Sequence, residues 1–379
     1  MRDVVIQLHP GEYHDFVRYL AAMEFEAIVL ETPVRRFKTL RQLLGQYFWG
    51  ACQLLKHLPK LRRAHTVIVF SHFALVVKLF ARLGLVRYQR LFSFGFFLHN
   101  PRWFGWFRWL RRLDRENDHY IVFSESEVPL YCAKLGIDTE RLHFVPLGDW
   151  RQTRACSQPV QLCQEQDTLA TVGEMPPLQS AHRICGDYYF AGGRSNRDYA
   201  SLIEAFRAIL AKLLIVCSRS NLEELEDTVL PQNVTRMCDI PAPAFDELIR
   251  GARAGIIPLQ HDTGSSGQSV ALTLMRYAKC VIATRVAALR EYIEDGISGF
   301  WLNDATADLP KLIRRLEVES GLAETMGRAA LRRYQEQFSL SIAMSAFENV
   351  LASVPIQICE QGGESAPAHR KADPSLRSE

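Results

Sequence analysis

Short apolar runs alternate with amphipathic stretches along most of this chain. The runs Val4–Leu8, Thr66–Phe70 and Tyr120–Phe123 have the length and the β-branched or aromatic composition of buried strands. Apolar residues at helical spacing fill the intervals, as between Leu40 and Leu58. A second alternation of the same kind begins at Tyr188. Strands that alternate with helices in this way predict parallel sheets covered by helices on both faces.

Two α/β domains are expected, because 379 residues are too many for one small core. We predict a first doubly wound domain in residues 1–165 and a second in 184–338, with a cleft between them. The polar segment 166–183 is interpreted as the linker. A helix in 339–356 follows, and it could cross back to the first domain. Residues 357–379 combine Gly, Ser, Pro and charge, which is a composition typical of disorder.

The composition excludes several classes of protein. Hydrophobic residues make up 48% of the chain and charged residues 23%, as in ordinary globular proteins, and the net charge of +3 gives no general reason to expect a nucleic-acid partner. The nine cysteines include no CxxC pair, which argues against a zinc site or a disulfide framework and favours a reducing compartment. The most apolar window, Val67–Val77, contains His72 and is too short to span a bilayer. Because Met1–Ile6 does not resemble a signal peptide, we expect a cytoplasmic protein.

Two glycines and two arginines follow the first strand of the second half. Gly192 and Gly193 allow a ligand to approach the backbone closely, and Arg194 and Arg197 could reach an anion at the carboxyl end of the strand. A charge-assisted hydrogen bond to a phosphate contributes about 1.5–3 kcal/mol, so two arginines would hold a diphosphate firmly. The alternative is a tight turn between strand and helix with solvated arginines.

A second loop follows the apolar run Gly255–Leu259 and leads into a helical stretch that starts near Val270. Its residues are small or carry a neutral hydroxyl or amide group: Thr263, Gly264, Ser265, Ser266, Gly267, Gln268 and Ser269. Free N–H groups and the positive dipole at the start of a helix favour an anion, most often a phosphate. The alternative is a flexible surface turn. Because both loops are expected at the same edge of one sheet, together they predict a diphosphate site.

Three stretches of the second half occur together in one family. They are Gly192–Arg194 with Arg197 and the helix after it, Ala252–Leu259, and Val281–Thr284 with Glu291 and Gly296. With these stretches the chain resembles the glycosyltransferases of the GT-B fold, most closely the retaining group known as family four, or group 1. The segment from Asp118 to Gly148 resembles the end of the first domain in that family.

The resemblance implies the GT-B architecture, in which two Rossmann-like domains face a central cleft. The first domain would bind the acceptor, and the second would bind a nucleoside-diphosphate sugar with UDP or GDP as the leaving group. The anomeric configuration would be retained. No cofactor and no metal ion are implied, because arginines and a helix end can take the role of a divalent cation.

The chain differs from this family at the two glutamates around the phosphate loop, and it lacks the family's double-glycine loop after the first strand, where His9–Glu12 stands instead. Counting back from Val281, Ser265 and Thr273 stand where the family usually has two glutamates, one facing the sugar and the other the ribose. Neutral hydroxyl groups there need not weaken phosphate binding, since a carboxylate beside a diphosphate would repel it. The missing glutamates favour one alternative, a catalytically silent nucleotide-sugar-binding or scaffold protein of the same fold. A sugar-nucleotide epimerase of the GT-B fold is another, and it would require acid and base carboxylates in the cleft.

Three further residues are candidates for the site. His99 ends the apolar run Leu91–Leu98, where the family often places a histidine that lines the cleft, and its location alone makes it the candidate catalytic residue. A structural cap at the end of the strand is the alternative. Asp239 follows the predicted strand Asn233–Met237 and is a candidate contact for the base or the ribose. Glu291 lies in a matched stretch and either contacts the donor or caps a helix.

Basic residues are concentrated in the first half. The stretch from Arg35 to Arg63 contains eight Lys or Arg and no Asp or Glu, and Arg102–Arg112 interleaves aromatic with basic residues. Both suit the surface of an anionic membrane, and a lipid-linked acceptor would fit this location. An amphipathic helix packed on the first domain is the alternative, while no signature of a nucleic-acid-binding fold accompanies the pattern.

These observations predict a glycosyltransferase of polysaccharide biosynthesis. Its donor would be a nucleoside-diphosphate sugar, and its acceptor a glycan or a lipid-linked molecule. We expect it in the cytoplasm, with peripheral contact to the inner face of the membrane and with no nucleic-acid partner.

Overall fold

The computed structural model describes residues 3–7, 14–30, 40–70, 73–94, 107–109, 111–148, 187–260 and 266–356. The predictions for 166–183, 357–379, His99 and Thr263–Ser265 lie outside these residues. The strands of the described part form two separate sheets, each of six parallel strands. The predicted α/β class with two doubly wound sheets is confirmed.

The first sheet contains the strands of the first half of the chain. They are β1 (Val4–Gln7), β2 (Glu26–Val29), β3 (Thr66–Phe70), β4 (Arg90–Phe94), β5 (Asp118–Val122) and β6 (Leu142–Phe144). Their order is β2-β1-β3-β4-β5-β6, and each neighbouring pair is parallel. Every residue of β3 and β4 is buried. Burial on both faces explains why these strands are nearly continuous apolar runs instead of alternating patterns.

The second sheet repeats this design. Its strands are β7 (Tyr188–Gly192), β8 (Lys212–Cys217), β9 (Val234–Cys238), β10 (Ala254–Ile257), β11 (Cys280–Thr284) and β12 (Gly299–Leu302). Their order is β12-β11-β10-β7-β8-β9, again with parallel neighbours. The sequence analysis predicted no strand at β12, because four residues after a turn are too few to show a period.

Helices connect the strands and cover the sheets. They are α1 (His14–Ala22), α2 (Leu40–Leu55), α3 (Leu58–Leu61), α4 (Ala74–Arg82), α5 (Glu127–Leu135), α6 (Tyr199–Phe206), α7 (Arg219–Glu224), α8 (Ala242–Gly251), α9 (Gln268–Arg276), α10 (Ala305–Val318), α11 (Leu322–Arg333) and α12 (Leu340–Ser353). Helix α6 begins at Asp198, whose carboxylate accepts a hydrogen bond from the Ser201 N–H at 3.1 Å. None of the helices in the described ranges is both long and apolar enough to cross a membrane.

The last helix of the chain packs against the first sheet. The Phe347 ring lies 5.3 Å from the Phe16 ring and 5.4 Å from the Phe94 ring, both edge-on. Arg90 of β4 donates hydrogen bonds to the carbonyls of Leu351 and Val354 at the end of α12. Aromatic edge-to-face contacts and a charged hydrogen-bond donor therefore hold α12 on the first sheet.

Candidate functional site

Two loops meet at the carboxyl edge of the second sheet. Strands β7 and β10 are parallel neighbours, so the segments that follow them emerge side by side. We call Gly193–Asp198 the arginine loop and Pro258–Ser269 the serine loop. The Asp198 N–H donates to the Pro258 carbonyl at 3.1 Å, and the Gln260 N–H donates to the Asn196 carbonyl at 3.3 Å. Backbone hydrogen bonds thus join the two loops.

The two glycines at the junction of β7 and the arginine loop are required by the shape of the chain there. Gly193 has φ of +125°, a conformation that side chains rarely adopt, and a Cβ atom there would collide with the guanidinium of Arg197. A Cβ atom on Gly192 would lie 2.7 Å from the Phe245 ring. The predicted pair of glycines therefore lets the backbone pass closely between these two side chains.

Arg194 projects from the arginine loop into solvent. Its side chain is 60% exposed, and its Nη2 atom lies 3.6 Å from Oδ1 of Asp239, which is 42% exposed. Asp239 follows β9, two strands away from β7, and its carboxylate also accepts a hydrogen bond from the Arg219 N–H at 3.3 Å. The structure thus brings two of the predicted site residues together. Because exposed ion pairs contribute little, Arg194 can exchange Asp239 for an anionic ligand.

Arg197 lies beneath the loop instead of projecting from it. Its side chain is only 5% exposed, with Nε donating to the Gly192 carbonyl at 3.1 Å and Nη1 donating to the Ser195 carbonyl at 2.6 Å. Burial lowers the pKa of Arg197 from its ordinary value. The expectation that this guanidinium projects toward an anion is therefore wrong, since the side chain is buried and its Nε and Nη1 groups donate to carbonyls of its own turn. The buried guanidinium fixes the conformation of the loop that carries Arg194.

The serine loop ends at the first turn of α9. Gly267 has φ of +91° and precedes the helix. The Ser266 hydroxyl is buried, and it has no hydrogen-bond partner within the described ranges. The amide of Gln268 is also buried and donates to the Ala288 carbonyl at 3.1 Å, so it anchors the helix start to the neighbouring loop. Ser269 is exposed. Ser266 and the free N–H groups of the first turn are thus the groups suited to an anion.

Glu291 lies at the contact between the domains. Its carboxylate accepts a hydrogen bond from the Glu125 N–H at 3.0 Å and lies 3.2 Å from the Ser124 hydroxyl, which donates to it. Both partners stand just before α5 of the first domain. Glu291 was expected to contact the donor or to cap a helix, and the structure shows it bonded to the segment that precedes a helix of the other domain.

Two residues beside Glu291 were missed by the sequence analysis. The Tyr292 hydroxyl donates to the Phe123 carbonyl at 2.7 Å and accepts from the Leu147 N–H at 3.2 Å, so it bridges the ends of β5 and β6. Arg333 donates to the carbonyls of Glu291 and Tyr292. Nothing local distinguishes them from ordinary helix and turn residues, because their partners are far away in the sequence.

Within the described ranges, no group of three or more His, Cys, Asp or Glu could hold a metal ion.

Part of the second domain matches a protein-family model. Residues 187–319 match the model described as glycosyl transferases group 1, and this range contains the whole second sheet. No curated protein matches the sequence.

Solved structures share the fold of almost the whole chain. Sucrose-phosphate synthase from Thermosynechococcus elongatus has a TM-score of 0.68 at 15% identity, with 93% of this chain and 100% of that chain covered. Anabaena Alr3699/HepE, in complex with UDP and glucose, has a TM-score of 0.65 at 14% identity and the same coverage. The lipopolysaccharide outer core galactosyltransferase WaaB has a TM-score of 0.58 at 13% identity, with 93% of this chain and 99% of that chain covered.

At these identities the likeness establishes the fold. The predicted GT-B architecture is confirmed, with its two parallel sheets and their covering helices. The fold and the match to the group 1 model together support a glycosyltransferase of the GT-B class. Membership of family four and retention of configuration stay predictions.

Proposed function

We propose that this protein transfers a sugar from a nucleoside-diphosphate sugar to an acceptor. The observation that carries the proposal is the hydrogen-bonded pairing of the arginine loop with the serine loop. It places Arg194, the Ser266 hydroxyl and the first turn of α9 at one edge of one sheet. Structures of Anabaena HepE contain UDP and UDP-glucose, which supports a nucleotide-sugar donor here.

The chemistry of the leaving group explains why these residues would matter. When the bond between sugar and phosphate breaks, negative charge grows on the departing diphosphate. A guanidinium, a hydroxyl and helix N–H groups already in place stabilise that charge more in the transition state than in the ground state. Arg194 and Ser266 would contact the diphosphate, while the buried Arg197 would hold the loop in shape. Positive charge from these groups is the basis for proposing transfer without a divalent metal ion.

The other predicted residues have narrower proposed roles. Asp239 would orient Arg194 and contact the ribose or the base of UDP or GDP. Glu291 would border the donor at the contact between the domains. His99 would face the acceptor in the cleft, and Thr263–Ser265 would complete the serine loop. The sugar would be transferred with retention of configuration.

The acceptor is proposed to bind the first domain. A glycan or a lipid-linked molecule at the inner face of the membrane would fit the basic stretch from Arg35 to Arg63. Such an acceptor would place the protein in polysaccharide biosynthesis, as a peripheral protein on the cytoplasmic side.

One observation favours a second candidate, a silent nucleotide-sugar-binding protein. The Thr273 hydroxyl, at the place of the second family glutamate, donates to the Ser269 carbonyl of its own helix at 2.8 Å. It therefore faces the backbone of α9 in place of a ribose. This candidate would bind the nucleotide without transferring or hydrolysing the sugar.

Thermal unfolding with UDP, GDP, ADP and their sugar conjugates tests the proposal. A ligand at about 100 times its Kd should add about 2.7 kcal/mol of stability. We expect a shift with UDP or GDP and, in a second assay, slow release of free sugar from the conjugate that binds. A shift without sugar release or transfer would favour the silent protein. No shift with any of these ligands would contradict both.

A further inference from the structure

We propose that one face of helix α2 docks this protein onto a bilayer of anionic lipids. The proposal concerns the surface that makes the contact and the chemistry of its partner, and it goes beyond the transfer reaction. We call the exposed apolar residues Leu44, Phe48 and Leu55, together with Trp49, the α2 face.

The α2 face is apolar where a surface helix is normally polar. Leu44 is 49% exposed, Phe48 is 72% exposed and Leu55 is 47% exposed. Their spacings of four and seven residues place them on one side of the helix. Trp49, beside Phe48, is 48% exposed.

The opposite side of α2 already packs on the first domain. Leu54 is fully buried in a core cluster, and Gly50 lies against the Phe73 ring with no room for a Cβ atom. The helix therefore carries apolar residues on two sides, and only one of them faces the core. Exposed apolar residues that lie next to one another on a soluble domain usually mark an interaction surface.

Positive charge borders the α2 face. The residues that follow the helix include Lys56, Lys60, Arg62 and Arg63, all of them exposed. Lys60 pairs with Glu26, and Arg62 donates to the Leu85 carbonyl at 2.8 Å. From Arg35 to Arg63 the chain has no acidic residue. Apolar side chains that enter the headgroup boundary, bordered by cations, are the pattern of helices that lie on anionic bilayers.

Charge decides between a bilayer and a second copy of this chain. A symmetric dimer through the α2 face would bring the same basic residues of two copies together, and like charges would repel. An anionic bilayer is complementary to both the apolar and the basic part of the surface. The charge pattern therefore selects the lipid surface as the partner.

Two aromatic residues of the stretch Arg102–Arg112 lie among the described residues, and they differ in exposure. Phe107 is buried and belongs to the cluster that Tyr47 of α2 joins, whereas Trp109 is 55% exposed. Core packing thus accounts for Phe107. Trp109 adds a further exposed aromatic ring of a kind that suits the headgroup level.

The path of the chain relates the α2 face to the cleft. Helix α2 follows β2 and precedes β3, so it starts at the carboxyl edge of the first sheet and runs away from it. Phe123 and Glu125, which follow β5 at that edge, contact the second domain. The start of α2, with Leu44 and Phe48, therefore lies toward the edge of the sheet at which the domains touch. Given the proposed function, a bilayer on this face would lie beside the entrance for a lipid-linked acceptor.

Sedimentation with lipid vesicles tests the proposal. Wild-type protein should bind vesicles of phosphatidylcholine mixed with phosphatidylglycerol and should not bind phosphatidylcholine alone. The variant Phe48→Ser with Leu55→Ser should lower the partition coefficient at least about tenfold. The variant Lys56→Glu with Arg63→Glu should lower it about thirtyfold or more.

A matched control substitutes exposed apolar residues elsewhere. Val229→Ser with Val318→Ser removes two side chains that are each 74% exposed on the second domain, and it should leave binding unchanged. Equal binding to both kinds of vesicle would overturn the proposal. Unchanged binding by the Phe48→Ser with Leu55→Ser variant and by the Lys56→Glu with Arg63→Glu variant would also overturn it. A dimer that dissociates in the Phe48→Ser with Leu55→Ser variant would overturn it in favour of a second copy.

Failure of this proposal can be told apart from failure of the proposed function. The α2-face variants should keep the thermal response to the nucleotide, since they change no residue of the second domain. Lost vesicle binding with an intact nucleotide response therefore supports the docking surface. A wild-type protein that binds vesicles but no nucleotide would contradict the function and leave the docking surface standing.

Discussion

The carboxylate of Glu291 in the second domain accepts a hydrogen bond from the backbone N–H of Glu125 in the first, at 3.0 Å. The two residues are 166 positions apart in the sequence. The Glu291 carboxylate lies at the start of α5, where the helix dipole favours a negative charge. Tyr292, next to it, is fully buried and bonds to the first domain as well. This turn is thus a polar contact between the two domains.

Glu291→Ala should weaken the contact between the domains. It leaves the Glu125 N–H without its acceptor, while the Ser124 hydroxyl keeps the Ser126 hydroxyl at 2.7 Å as its partner, so we expect the free energy of unfolding to fall by about 1–2 kcal/mol. The midpoint of thermal unfolding measures the change. Glu294→Ala is the control, because Glu294 makes only an exposed ion pair with Arg333 at 3.5 Å through its side chain. Equal midpoints for the two variants would contradict the role of Glu291.

Arg194→Ala should remove the thermal response to nucleoside diphosphates and leave the unliganded protein as stable as wild type. The side chain is exposed, and its ion pair with Asp239 contributes little. Arg315→Ala is a matched control, since Arg315 is 52% exposed and pairs with Glu319 at 2.8 Å within α10 and its end. A full nucleotide response in Arg194→Ala would refute the assignment of Arg194.

Arg197→Met should lower the stability of the fold and should also weaken nucleotide binding. The change leaves the carbonyls of Gly192 and Ser195 without their donor and empties a buried charge site, so the free energy of unfolding should drop by about 3 kcal/mol. Nucleotide binding should also weaken, because the arginine loop loses its shape. Urea unfolding and isothermal titration measure the two effects. Weakened binding at wild-type stability would instead indicate direct contact between Arg197 and the ligand.

Ser266→Ala should make the unliganded protein more stable and should weaken nucleotide binding. A buried hydroxyl with no partner in the described part of the chain is unfavourable without a ligand, so its removal should raise the free energy of unfolding by up to about 1 kcal/mol. The nucleotide should bind several-fold more weakly, because one hydrogen bond to phosphate is lost. Ser269→Ala, at an exposed position three residues on, serves as the comparison. Lower stability with unchanged binding would show that the hydroxyl has only a structural role.

A pair of histidines should make stability depend on pH. Nδ1 of His119 and Nε2 of His143 are 3.0 Å apart, and one ring donates to the other. Burial, helped by His143 and by nearby Arg141, lowers the pKa of His119 from 6.5 to about 4, and burial also lowers the pKa of His143. The unfolded chain therefore takes up protons below pH 6.5 while the folded chain does not.

It follows that the stabilising effect of the neutral pair is complete above pH 6.5 and is lost as the pH falls toward 4. We expect a loss of about 2 kcal/mol over this window. His119→Gln with His143→Gln should flatten this part of the stability profile measured by urea unfolding. Profiles of equal slope in the wild type and the double variant would contradict the prediction.

The order of strands and helices was largely predictable from the sequence. Thr66–Phe70 was predicted with its observed bounds, and the other predicted strands were found within a few residues of their places, because a buried parallel strand is a short apolar run. The position of the arginine loop followed from the same reasoning, since glycine and arginine directly after a strand are local features. Strand β12 escaped prediction because four residues carry too little pattern.

The sequence by itself determined most of the segments that become strands and helices, and the places where the arginine loop and the serine loop leave the second sheet. Only the tertiary structure decided that Arg197 is buried under its own turn, that Glu291 bonds across to Glu125, and that Phe347 packs on the first sheet. The reason is physical: periodicity reports whether a residue is buried, whereas its partner depends on how distant segments are brought together. The sequence around an arginine or a glutamate looks the same whether its side chain faces water, a carbonyl or another domain.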